Sequence, residues 1–188
     1  MLAAGKECNE RCCLGGNRVG KTHSIGCYET TLHLTGNYPA WWQGWRVDHK
    51  PILAWASGTS SKKTRDVNQK MLFGEILRDG RPGMVPKSQI LRYTRKTSVA
   101  DAIDQIVIKH KKGWENVLTL KSYEEGRTSF EAEAVDWIWL DEEPPRPIYD
   151  ECLMRLLTTG GRLLATMTPL QGISETVMAM LEDTDLLN

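Results

Sequence analysis

The sequence predicts an α/β protein: a mainly parallel central sheet with helices on both faces. Three observations predict it. Short apolar strand-like runs alternate with segments of helical periodicity along most of the chain. A glycine-punctuated basic turn, Gly15 to Thr22, joins the first such strand to the first helix. A later apolar run, residues 135–140, ends in Asp141-Glu142-Glu143, at the strand end where α/β sheets bind ligands.

The elements follow in order. Residues 11–14 are apolar, stand before two glycines, and read as a buried strand. Residues 21–35 put Ile25, Tyr28, Leu32 and Leu34 at apolar positions of a helix, and Gly36 supplies the stop. Residues 36–50 are turn-rich and aromatic and read as a surface loop. Residues 51–57 are a second strand, 58–65 a polar turn, and 66–77 a helix spaced through Val67, Met71, Ile76 and Leu77. Residues 79–87 carry Gly80, Pro82, Gly83 and Pro86 and read as a loop. Two strand-like runs, 105–111 and 116–123, flank Lys112-Gly113-Trp114 and predict a β-hairpin. Residues 135–140 form another strand, 148–158 a helix, 162–167 a strand, and the tail from Ser174 a further helix.

The chain has 188 residues, enough for one domain with a sizeable core. Its 24 basic and 24 acidic residues leave no net charge, so any nucleic-acid contact must come from a local patch. No apolar run approaches the ~18 residues of a membrane span, and the N-terminus lacks the apolar core of a signal peptide. The five cysteines read as reduced thiols, with Cys12 and Cys13 inside a strand. A zinc site from Cys8, Cys12 and Cys13 is the alternative.

Gly15-Gly16-Asn17-Arg18-Val19-Gly20-Lys21-Thr22 fits G-x-x-x-x-G-K-S/T in full, with a strand before it and a helix after it. Glycines let backbone N–H groups approach phosphate oxygens, and the helix start places its positive end on the same anion. Lys21 supplies a point charge for the β- and γ-phosphates, and the Thr22 hydroxyl is a ligand for Mg²⁺. The fold class sharpens accordingly to a P-loop NTPase of the ASCE type, a three-layer αβα sandwich. Asp141 at a neighbouring strand end would hold the Mg²⁺, and Glu142 would orient the attacking water. In isolation the acidic triplet reads as a solvated turn; beside a full phosphate loop it reads as the second half of a site. The Asp-Glu pair favours an NTP hydrolase over a small-molecule kinase, and the absence of N-K-x-D argues against a guanine-specific GTPase. Thr166 and Thr168 end an apolar strand before Pro169, where hydroxyls would sense the γ-phosphate or the water, although strand-terminal threonines are commonly structural.

Together these residues resemble the ATPase domain of the large terminase subunit of tailed bacteriophages, the motor that pumps double-stranded DNA into a procapsid. The resemblance runs over residues 5–175 and rests on GGNRVGKT, LHLTGNYPAWWQGWRV, KSYEEGRTSFEAEAVDWIWLDEEPP and YDECLMRLLTTGGRLLATMTPL. It implies ATP and Mg²⁺ as cofactors and assigns Gly15 to Thr22 to Walker A. Asp141 and Glu142 fall to Walker B, and Thr166 to Thr168 to the motif coupling hydrolysis to movement. Arg18 takes a phosphate-contacting role by the same likeness, and Arg127 that of a trans-acting arginine finger, with a surface loop arginine as the alternative for Arg127. The implied partners are double-stranded DNA, like subunits in a ring (pentameric on a procapsid), the portal protein and the small terminase subunit. The resemblance also implies no membrane partner and a location in the cytoplasm of a bacterial host.

Two departures stand against the resemblance. A large terminase also carries a C-terminal RNase H-like nuclease domain, and this chain ends at Asn188, so no DNA cutting is expected of it. An adenine-contacting motif precedes Walker A in terminases, and little chain precedes Gly15. The expectation is an N-terminal P-loop ATPase domain over residues 1–188, cut short as a fragment or as a shortened prophage reading frame. For DNA, residues 57–65 (SGTSSKKTR) suit non-specific phosphate contact, with a solvated loop as the alternative. Lys109, His110, Lys111 and Lys112 form a second basic cluster, expected to be exposed rather than DNA-bound. Trp41, Trp42 and Trp45 are expected in a folded-over loop. Two rival functions remain: a nucleotide-binding-only prophage fragment, and another nucleic-acid-dependent P-loop ATPase such as a helicase.

Overall fold

Seven strands form one sheet among the described residues, in the order β1-β7-β6-β2-β5-β4-β3. They are β1 (Glu10–Leu14), β2 (Leu53–Gly58), β3 (Ile90–Arg95), β4 (Ile103–Lys109), β5 (Glu115–Ser122), β6 (Trp137–Asp141) and β7 (Arg162–Met167). The computed structural model describes residues 1–78, 80–131, 133–169, 172 and 174–182. The five strands from β1 to β5 in this order run parallel, and β4 and β3 add antiparallel. The predicted hairpin is therefore present as β4 and β5, and Gly113 in its turn has φ +99°.

Both faces of the centre are buried, which makes the molecule three-layered. In β2, Ala54 and Ala56 join one core while Trp55 joins the other. In β6, Trp137 and Trp139 face the first core and Ile138 and Leu140 the second. This is the two-residue alternation of a strand buried on both sides. The first core is covered by a π-helical turn, Thr22–Cys27, that continues as α1 (Tyr28–Thr35), and by α2 (Ser61–Thr64), a π-helical stretch Arg65–Gln69, and α3 (Lys70–Phe73). The second is covered by α4 (Arg146–Leu157) and α5 (Glu175–Glu182), through Ile148, Tyr149, Cys152, Val177 and Met180. Gly36 ends α1 with φ +74°, and a Cβ there would meet the His110 ring at 2.3 Å.

Four expectations are corrected. The first strand lies at the sheet edge, and only Arg11 in it is buried. Residues 61–65 are helical rather than a turn: Ser60 accepts a bond from the Lys63 N–H at 3.2 Å and caps a helix that ends at Phe73, not at 77. Ile90–Arg95 is a strand that leaves no mark in the sequence, because an edge strand exposed on nearly every residue has no apolar alternation. Within the basic cluster His110 is buried and stacks on Trp114 at 4.7 Å, while its three lysine neighbours are exposed. Asp79 and Leu170, part of the predicted loop and of the T-P-L segment, lie outside the described residues.

The buried polar groups are tied together. Arg11 makes a bidentate pair with Glu29 at 2.7 and 3.0 Å, both out of solvent. Burial pushes the Glu29 carboxyl up, but hydrogen bonds from His33 and Arg11 outweigh it and hold the group below its usual range. Burial pulls the His33 imidazole down, so the ring is neutral. With Nε2 donating to Glu29 at 3.3 Å, Nδ1 accepts from the Tyr38 hydroxyl at 2.9 Å, and that oxygen accepts the Val47 N–H at 2.8 Å. This chain of bonds, with Trp45 stacked over Trp137, folds the 36–50 loop onto the first core as expected. Trp42 is buried there, whereas Trp41 stays exposed and stacks on Tyr28. Burial pushes the thiols of Cys12, Cys27 and Cys152 up to about 12, which keeps them protonated and unreactive. No helix of the described residues is long and apolar enough to cross a membrane.

Candidate active site

The glycine-rich turn leaves β1 at the C-terminal edge of the sheet. Gly15 donates its N–H to Met167 O at 3.3 Å, which ties the loop to β7. A Cβ on Gly15 would meet the Lys21 side chain at 3.3 Å, so the missing side chain lets the lysine lie along the loop. Gly20 has φ +87° and Arg18 φ +61°, the second uncommon for a residue with a side chain. Asn17, Arg18 and Val19 form an exposed tip. Lys21 is buried, and its ammonium donates to Gly15 O at 3.0 Å, Gly16 O at 2.8 Å and the Thr168 hydroxyl at 2.9 Å.

The acidic strand end faces the loop across one intervening strand. β7 lies between β1 and β6, and Asp141 sits in register beside Thr166. Asp141 Oδ1 accepts hydroxyl bonds from Thr22 at 2.8 Å and Thr166 at 2.8 Å. Burial pushes the carboxyl up to about 6, further helped by the Glu142 charge, while the two threonine bonds pull the other way. Glu142 has φ +65°. Its N–H donates to Thr166 O at 2.8 Å, and its Oε2 accepts the Thr168 N–H at 3.4 Å. Asp136 immediately precedes β6: Oδ2 accepts the Leu53 N–H at 3.0 Å and Oδ1 pairs with Lys50 at 2.6 Å, which fixes β6 beside β2.

The fold thus gathers Lys21, Thr22, Asp141, Glu142, Thr166 and Thr168 around one edge. Thr22, Asp141, Glu142 and Thr168 line a cavity of about 830 Å³ that continues past Gly58, Thr59, Lys63 and Asn68 on one side and Arg146 on the other. Arg127 is not gathered in. It binds Glu151 of α4 at 2.9 and 3.1 Å and Glu131 at 3.3 Å, with a side chain 59% exposed.

Several residues that hold the site escaped the sequence reading. The Trp139 indole donates to Thr166 Oγ1 at 2.9 Å, so the threonine that serves Asp141 is itself oriented from β6. Gly26 makes room for that indole: a Cβ there would lie 2.2 Å from Nε1. The Tyr123 hydroxyl donates to the carbonyls of Asp141 at 3.1 Å and Glu142 at 3.0 Å and clamps the strand end. No motif marks these three; the only signal is tryptophan in a strand beside acids.

Hard oxygen donors at Thr22 and Asp141, separated by 2.8 Å, fit a Mg²⁺ ion, which favours oxygen ligands. The parallel sheet, the inserted β7 and the loop at the β1 edge define the P-loop α/β class of ASCE type. Within that class, the sequence matches the terminase large subunit family, T4likevirus-type, N-terminal, over residues 12–184, and the chain belongs to this family. It is 31% identical over 202 aligned residues to the terminase large subunit of Salmonella phage P22, an alignment covering 97% of this chain and 40% of that protein. The structure of the large terminase from a thermophilic bacteriophage has the same fold, with a TM-score of 0.68 at 15% identity, over 99% of this chain and 40% of the other. The chain therefore spans about 40% of the length of these relatives.

Proposed function

We propose that this chain hydrolyses ATP with Mg²⁺ and that, in a ring of like subunits, the energy moves double-stranded DNA into a procapsid. The observation that carries the reading is the 2.8 Å contact of Thr22 with Asp141, which joins the phosphate loop to the acidic strand end, with Glu142 the next residue. The backbone N–H groups of Gly15 to Gly20 would cradle the phosphates, with Arg18 at the loop tip adding charge. Thr22 and Asp141 would hold Mg²⁺, which when bound neutralises charge on the β- and γ-phosphate oxygens. Lys21 would exchange its two loop carbonyls and Thr168 for phosphate oxygens. Glu142, aimed by its backbone and by the Thr168 N–H, would orient the attacking water for in-line displacement. Thr166 and Thr168 would pass the state of the site to β7.

The portal protein and small terminase subunit as partners, and the bacterial cytoplasm as location, are part of the same proposal, and membership of the family supports them. The test is specific ATPase activity against protein concentration, with Mg²⁺, with and without duplex DNA. Turnover that rises with concentration and with DNA is expected. Lys21→Ala should abolish nucleotide-dependent activity, and Glu142→Gln should bind ATP without turnover. Normal hydrolysis by Glu142→Gln would remove that carboxylate from the mechanism. Tight ATP binding without turnover in the unaltered chain would instead make it a nucleotide-binding module.

A further inference from the structure

The cavity at the active site continues beyond anything the phosphate loop uses, and its far wall is chemically distinct. That wall is the junction of β2 with α2. Thr59 Oγ1 and Asn68 Nδ2 are both buried there without a hydrogen-bond partner among the described residues, and Asn68 is 1% exposed. Buried donors are normally satisfied, and leaving one unpaired opposes folding. Both residues line the cavity, as does the exposed Lys63, which has no acidic partner among the described residues. The wall is therefore a cluster of three donors, two of them buried and one charged.

The junction is also held rigid. The Ser61 N–H donates to Glu124 Oε1 at 2.7 Å, the Ser61 and Ser122 hydroxyls meet at 2.9 Å, and Thr64 donates to Lys121 O at 3.0 Å. A Cβ on Gly58 would come within 2.9 Å of Thr64 Oγ1 and 3.2 Å of Asn68 Oδ1, so only glycine allows this close seating. The helix that starts at Ser61 runs on through Phe73 and presents its positive end to the same space. The opposite side of the cavity carries Asp141, Glu142, Glu143 and Glu175, and its one cation, Arg146, is paired with Asp150 at 2.7 Å, whereas Lys63 on the β2 wall has no such pair among the described residues.

We propose that Thr59, Lys63 and Asn68 form a second phosphate-binding subsite facing Glu142 across the cavity. Its ligand is a phosphate oxyanion, supplied by a phosphodiester of the DNA backbone or by the nucleotide's terminal phosphate. A bound oxyanion satisfies both orphaned donors and pairs the Lys63 ammonium. The proposal rests on the nucleotide reading of the neighbouring loop for its second source only.

Two arms test it with Lys63→Ala and Asn68→Asp, the first exposed and the second keeping the side-chain volume. In the first arm, binding of a 30-base-pair duplex to the full chain is measured from 50 to 200 mM salt. If DNA supplies the phosphate, each variant lowers the log–log salt slope by about 0.9, and Lys63→Arg restores it. In the second arm, binding of a non-hydrolysable ATP analogue with Mg²⁺ is measured without DNA. A loss of tenfold or more in either variant assigns the subsite to the nucleotide. Both arms unmoved, with folded variants by circular dichroism, overturns the proposal. Lys21→Ala serves as the control: it removes ATP binding and leaves the duplex salt slope intact, so failure of the nucleotide reading is told apart from failure of the subsite.

Discussion

The Lys21 ammonium donates to the Thr168 hydroxyl at 2.9 Å, and the N–H of the same threonine reaches Glu142 Oε2 at 3.4 Å. One residue of the strand-end turn thus touches both the lysine of the phosphate loop and the acid proposed to position water. Thr168→Val removes the lysine's acceptor and keeps the N–H. We expect ATP to bind about fivefold more tightly, in line with a net hydrogen bond of about 1 kcal/mol, and DNA stimulation of turnover to fall. Nucleotide titration with turnover measured with and without duplex checks it; unchanged stimulation would detach Thr168 from coupling.

Thr166 occupies a chain of bonds that runs from the Trp139 indole through its hydroxyl to Asp141. Thr166→Val leaves the buried indole N–H unpaired and should cost about 1–3 kcal/mol of stability. Thr166→Ser keeps the hydroxyl and should recover most of it. Denaturant melts of the two variants decide this; an unchanged stability of Thr166→Val would show that the indole bond to Thr166 contributes nothing to the fold.

Asp141 sets a pH signature. Its folded value of about 6 lies above the ordinary 3.8, a difference worth about 3 kcal/mol. An acid raised by folding favours the fold below its unfolded value, and that contribution is lost as pH rises through about 6. Mg²⁺ binds only the ionised carboxylate, so its effect runs the other way. The increase in melting temperature on adding Mg²⁺ should be large about one to two pH units above that value and vanish about one unit below it. A shift of equal size on both sides would remove Asp141 from the metal's ligands.

Arg127 holds Glu151 within its own subunit, yet its side chain remains 59% exposed. If it also completes a neighbour's site, Arg127→Ala should lower turnover by about 10³-fold or more. Mixing it with Lys21→Ala should then restore activity, because each variant supplies the half that the other lacks. No recovery on mixing, at concentrations where the unaltered chain is active, would confine Arg127 to its clamp on α4.

Much of the site could be read directly because its chemistry is local. Gly15 to Thr22 is one contiguous turn between two elements, and β7 runs over the expected residues 162–167. The acidic strand end was legible because apolar residues stop where Asp141 begins. What could not be read depends on residues distant in sequence. Trp139 and Thr166 meet across 27 positions, and Tyr123 reaches Glu142 across 19, with no pattern to announce either. The β3 strand is hidden because its residues face water, and the helix at Ser61 because its first turn is polar and pinned by Glu124, which comes from another strand end. Arg11, Glu29 and His33 look like surface residues in sequence and are buried because each satisfies another.

Glu142 sits at φ +65°, a backbone shape that glycine adopts freely and that typically costs other residues about 1 kcal/mol or more. Glu142→Gly should therefore melt higher than the unaltered chain, by several degrees, while turning over no ATP; a lower melting temperature would show that the acid's own contacts outweigh the strain. Selection for heat resistance alone would then reward the silent variant. Any directed evolution of this domain for durability has to be screened on work done, because at this position robustness and usefulness point in opposite directions.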